Sequence, residues 1–197
     1  YTDSTFIHYA DFYTQIPNRQ ARKYPIQFSA KYSNLGGATQ TNAGFKAMVT
    51  GPSAFSQTET ATKSSLSPLS TDSTSTTKAI TLTAGVGIYN VDLIVTSDST
   101  LKLNDDDTLA ATVEVTNDTY ARDNNDISGA GAFYYNPSAI WEWEVGAIFE
   151  LKTLDNIVGV EWLNTAANTR RAGKTGTITV NIYNVGDYTR NSISGVA

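Results

Sequence analysis

Residues 141–151 alternate with a period of two. Trp141, Trp143, Val145, Ala147, Phe149 and Leu151 fall on one face, and Glu142, Glu144 and Glu150 on the other. Successive side chains of an extended backbone point to opposite sides, so this pattern asks for a strand with one face covered and one wet. The same period recurs in Ile26, Phe28, Ala30 and Tyr32; in Ile80, Leu82 and Ala84; in Tyr89, Val91, Leu93 and Val95; in Leu109, Ala111, Val113 and Val115; and in Ile178, Val180 and Ile182. Shorter runs at residues 45–49 and 157–163 bring the total to about eight strands, and no segment keeps a helical stripe over about ten residues.

Turn chemistry separates these runs: SNLGG from Ser33, AGVG from Ala84, NDDD from Asn104, YNPS from Tyr135 and RRAGKTG from Arg170. Glycine, proline and the short Asx side chains supply the backbone angles that reverse a chain. Short strands without βαβ alternation predict an all-β fold, an antiparallel β-sandwich or jelly roll. Residues 51–78 are rich in Ser and Thr and poor in large apolar side chains, and are expected to form a long surface loop with at most one edge strand. The expected organisation is an N-terminal segment over residues 1–23 followed by a β-sandwich domain over 24–197.

The setting follows from composition. Cysteine is absent, which removes disulfides, thiolate metal sites and thiol nucleophiles. Charged residues make up 17% of the chain while Ser, Thr, Asn, Gly and Tyr abound, a balance expected of an extracellular or cell-surface protein, or of a virion. The missing initiator Met and export signal fit a mature product. Apolar runs are a few residues long, far short of the roughly 20 that cross a bilayer, so no membrane span is expected. A net charge of −5 argues against nucleic acid as a partner, because phosphate contacts need clustered Lys and Arg. The short basic stretches 19–23 and 170–174 are expected to be solvated.

Few residues suit catalysis. The single histidine, His8, would have to serve any Ser/His/Asp arrangement, and it lies in an aromatic terminal stretch. Glu142 and Glu144 are successive residues of one strand face, about 6.5–7 Å apart by strand rise, as expected for a solvated face. No enzymatic activity and no cofactor are therefore expected. Asp105, Asp106, Asp107, Asp123 and Asp126 carry the hard oxygen ligands that calcium takes and are the candidate metal ligands, although their spacing is not that of an EF-hand and also suits Asx turns. Asn117-Asp118-Thr119 is the one N-glycosylation sequon. Trp141, Trp143, Trp162, Tyr134 and Tyr135 are the side chains that would stack on sugars in a carbohydrate-binding module, so surface glycans enter as candidate partners.

The N-terminal stretch STFIHYADFYTQIP places six large apolar or aromatic residues within positions 6–16, and something must cover them. The face Phe6, His8, Ala10 and Phe12 avoids Asp11 and is expected to point inward. PNRQARKYP follows, where Pro17 and Pro25 suit a connector. Together with the alternating strands from YPIQFSAKY to GTITVNIYNV, this layout resembles the β-sandwich subunits of archaeal and bacterial extracellular filaments that assemble by donor-strand complementation. The resemblance implies a structural subunit whose partners are copies of itself and whose interface is Phe6, His8, Ala10 and Phe12. Two other readings share the layout: a viral jelly-roll capsid or virion surface protein, and a secreted carbohydrate-binding module. In a third, the segment is an edge strand or short helix of its own domain.

Overall fold

The computed structural model describes residues 13–99, 107–122, 149–160 and 180–182. The chain divides into two compact units, residues 1–126 with 151–153, and residues 127–150 with 154–197.

The first unit is an all-β fold of two sheets. Among the described residues its strands are β1 (Gln15–Pro17), β2 (Ser29–Asn34), β3 (Gln40–Gly51), β4 (Phe55–Leu66), β5 (Ser70–Ser75), β6 (Gly87–Thr96) and β7 (Thr108–Thr116), with one short α-helix, α1 (Asn18–Ala21), and a 3₁₀ turn at Pro52–Ala54. Five strands form one sheet in the order β1-β7-β6-β3-β4, and β2 pairs with β5 in the other. Every pairing is antiparallel except that of β1 with β7. The alternation read from the sequence sets which faces are buried. Tyr89, Val91, Leu93 and Val95 of β6, Phe45, Ala47 and Val49 of β3, and Val113 and Val115 of β7 share one core with Ala30 and Tyr32 of the second sheet and with Phe28 just before it. Each fully buried side chain of this size contributes about 1.5–3 kcal/mol.

Two polar details close this core. Asn34, buried at the end of β2, donates through Nδ2 to the carbonyls of Ala38 (2.8 Å), Leu66 (3.2 Å) and Ser67 (3.1 Å) and accepts from the Gly36 N–H at 3.0 Å. It thus ties the SNLGG turn to the end of β4. On β3, a Cβ at Gly44 would lie 1.9 Å from the Ala61 carbonyl oxygen, so only glycine permits this approach to β4.

Three expectations change. Residues 51–78 are not a loop: they hold β4 and β5. Threonine favours the extended backbone, and an edge strand needs few buried side chains, here Ala61 and Leu66. Ile80 and Leu82 are buried as their alternation required, yet they form no strand, only a bridge from Ile80 to Ile26. The end of the N-terminal segment and the start of the expected connector contribute to the core of their own unit. Tyr13, Ile16, Gln20 and Ala21 are buried, and Pro17 ends β1 and caps α1 with its fixed φ of −60°.

In the second unit, residues 149–150, 154–160 and 180–182 carry no helix or strand. Phe149, Ile157, Val158, Val160 and Ile182 are exposed, so alternation finds no covered face among these residues. The rest of the strand expected over 141–151, with Trp141, Trp143, Glu142 and Glu144, lies outside the described residues. So do Tyr134, Tyr135, Trp162 and the basic stretch 170–174. No helix among the described residues is long and apolar enough to cross a membrane.

Candidate assembly site

The most unusual local structure surrounds β1. β7 runs into a turn in which the Thr119 N–H donates to Thr116 Oγ1 at 2.9 Å and Thr116 Oγ1 donates to the Thr119 carbonyl at 2.8 Å. The chain then returns past Ala121, and β1 is inserted between β7 and this return instead of letting the two pair directly. On one side the Glu114 N–H donates to the Thr14 carbonyl at 2.8 Å. On the other, Thr14 and Gln15 N–H groups donate to the Ala121 carbonyl at 3.0 and 3.2 Å, and the Ala121 N–H donates to the Gln15 carbonyl at 3.0 Å. Gln15 Nε2 adds a bond to Glu114 Oε2 at 2.7 Å.

Aromatic contacts fix the start of this strand. The Tyr13 ring meets Tyr24 edge-on at 5.1 Å and Tyr120 at 5.9 Å, and the Arg122 guanidinium lies 4.5 Å from its centroid. Edge-to-face and cation–π geometries of this kind each contribute about 0.5–1.5 kcal/mol beyond burial. The seat is imperfect, however. Thr14 Oγ1 is buried without a hydrogen-bond partner, and an apolar void of about 20 Å³ remains between Tyr13, Ile16, Leu82 and Val113.

Gln20 anchors the far end. Its buried amide accepts from the N–H groups of Lys152 (2.8 Å) and Thr153 (3.1 Å) and donates to the Thr153 carbonyl at 2.9 Å, which imitates a strand pairing through one side chain. Lys152 Nζ lies 5.4 Å from the Tyr24 centroid. Sequence reasoning missed Gln20, because its partners are 132 and 133 positions away. Tyr13 was among the six residues expected to need cover, but it falls on the face shared with Ile7 and Tyr9, which Asp11 argued against as the inward one. A bend at Thr14 breaks the period there.

Most of the other expected site residues are not described. Phe6, His8, Ala10 and Phe12 lie outside the described residues, as do Asp105, Asp106, Asp123 and Asp126. Asp107 is described and buried, and its main-chain carbonyl accepts from the Val95 N–H at 3.0 Å. Among the described residues no three His, Cys, Asp or Glu side chains gather in a manner that could hold a metal ion. Asn117 is exposed in the turn after β7. Arg19, Arg22 and Lys23 are exposed around α1, while Gln20 and Ala21 between them are buried. Burial raises the Tyr89 and Tyr32 hydroxyls above their ordinary range, with Asp72 adding to the effect at Tyr32. Both tyrosines are core side chains, and their hydroxyls donate to the carbonyls of Gly85 and Ala43. Comparison with protein-family models, with curated proteins and with solved structures finds no match to this chain.

Proposed function

We propose that this chain is the structural subunit of an extracellular filament, and that it assembles by giving the strand-competent segment Phe6–Phe12 to a neighbouring copy. The observation that carries this reading is the seat of β1. A strand of three residues is inserted between β7 and Ala121, with a void beneath it, a buried unpaired hydroxyl beside it and an alternating apolar segment immediately before it in the sequence. Adding a strand to a sheet edge gives affinity through main-chain hydrogen bonds and specificity through alternate side chains. A head-to-tail contact is heterologous and propagates as an open filament unless its rotation closes a ring.

Electron microscopy of the purified chain tests the proposal. Filaments are expected for the parent protein, and dispersed monomers of unchanged melting temperature for Phe12→Asp, because the charge disrupts a contact made only between copies. Closed shells, filaments of normal morphology from Phe12→Asp, or a large loss of monomer stability in that variant would overturn it. Tyr13 and Ile16 are core, so truncation as a further test should stop at residue 12.

A further inference from the structure

We infer that the acceptor for this segment is the outer edge of β7 from Thr108 to Val113, occupied by residues 6–12 of a second copy; the inference rests on the strand-addition reading above. Hydrogen bonds fix which groups this edge presents. Val95 donates to the Asp107 carbonyl across the β6–β7 ladder, and Glu114 donates to the Thr14 carbonyl on the opposite side. Main-chain groups alternate sides along a strand. Odd-numbered residues of β7 therefore face β6, while Thr108, Ala110 and Thr112 turn their N–H and C=O groups outward.

β1 does not cover them. Its register with β7 runs only from Gln15↔Glu114 to Pro17↔Thr116, and continued upstream it would set Thr14 against Val113. The Thr14 N–H, which would have reached the Thr112 carbonyl, goes to Ala121 instead. The chain's own strand thus leaves the ladder where the open edge begins, and among the described residues nothing pairs with Thr108, Ala110 or Thr112 on that side.

The surface beside this edge is apolar and incompletely covered. Leu109 and Ala111 belong to the same inward face as the buried Val113 and Val115 but are only half-buried. No charged side chain lies between Thr108 and Val113. An unguarded, uncharged edge is what a further strand requires. The six-residue stretch from Thr108 to Val113, with its three outward-facing residues, is about as long as the segment from Phe6 to Phe12, and alternate large side chains of that segment fit a face lined by Leu109 and the small Ala111.

Ala110→Pro in the full chain is the direct test. It deletes one outward N–H and leaves the β6 ladder intact, since proline is tolerated on an edge whose N–H faces away from the sheet. The variant is expected to keep its monomer fold and to form no filaments. Thr108→Lys with Thr112→Lys is the second variant, in case proline disturbs β7, and should behave alike. In parallel, a synthetic peptide of residues 1–12 is added to full-length Phe12→Asp, and amide hydrogen exchange is followed. Ala110 and Thr112 amides should slow at least tenfold, with Glu59 and Thr60 on β4 unchanged. Protection on β4, or normal filaments from both edge variants, would overturn the β7 assignment while leaving strand addition standing. No protection anywhere, together with normal filaments from Phe12→Asp, would overturn both.

Discussion

The two edges of the five-stranded sheet are built on opposite plans. β4 offers twelve residues of edge, eight of them Ser, Thr or charged. Glu59 and Lys63 break its surface, Lys63 pairs with Asp72 on β5, and Asn34 fastens its last residues to the second sheet. At the other edge, β1 covers β7 over three positions, and the remaining Thr108–Val113 stretch carries no charge. Proteins that remain monomeric guard open edges with charged side chains, bulges or covering segments. Both edges leave main-chain groups open, so on the proposed reading the charges on β4, and their absence beside the half-buried Leu109 and Ala111 on β7, are what separate them.

The sharpest way to break the comparison is to remove the residue that seats β1. Tyr13→Ala deletes a 3%-exposed aromatic together with its contacts to Tyr24, Tyr120 and Arg122. The expected loss is about 3–5 kcal/mol, which lowers the melting temperature by roughly 6–20 °C in a chain of this size. Thr60→Ala on β4, exposed and away from the core, should stay within about 0.5 kcal/mol of the parent. Equal losses in thermal denaturation would mean that the two edges are equally integral to the fold.

A smaller effect is expected from Gln20→Ala. The substitution removes the bonds that Gln20 makes to the partly buried N–H groups of Lys152 and Thr153 and to the Thr153 carbonyl, at a cost of about 1 kcal/mol. Hydrogen exchange at those two amides should accelerate, while the Phe45 and Leu93 amides in the central strands follow only the change in global stability. Unaltered exchange at Lys152 and Thr153 would show that α1 does not hold that part of the chain.

These residues also show where the fold was legible in advance. β6 and β7 were readable because Tyr89, Val91, Leu93, Val95, Val113 and Val115 are large, apolar and regularly spaced, so burial and alternation coincide. β4 and β5 were not, because pairing through main-chain groups makes little demand on side chains when a strand lies at an edge. Ile80 and Leu82 failed in the opposite sense: alternate burial was read correctly, but burial of alternate side chains does not require a ladder. At the candidate site, the alternation of Phe6, His8, Ala10 and Phe12 was visible, while the insertion of β1 between β7 and Ala121 was not. That insertion depends on contacts across about a hundred residues of sequence, such as Gln15 with Glu114, 99 positions apart. Local periodicity carries no record of such a contact.

The least effect is expected from the guard on β4. Lys63 Nζ binds Asp72 Oδ2, and this hydrogen bond, followed by that from the Ser73 N–H, holds the Asp72 carboxyl below its ordinary 3.8. A carboxyl whose folded value is depressed contributes stability that is fully present above its unfolded value and is lost as the pH falls through the folded one. The contribution is therefore complete at neutral pH and disappears only in strong acid. Its size is small, because the side chains are 43% and 32% exposed and solvent screens the pair, so Lys63→Ala should cost less than about 1 kcal/mol. Denaturant titrations of parent and Lys63→Ala should differ slightly at neutral pH, converge in acid, and converge also in high salt. The Tyr13→Ala deficit rests on apolar packing and should persist under both conditions. A Lys63→Ala deficit that survived acid and salt would mean that Lys63 contributes through its aliphatic stem packed on the strand and not through its pairing with Asp72.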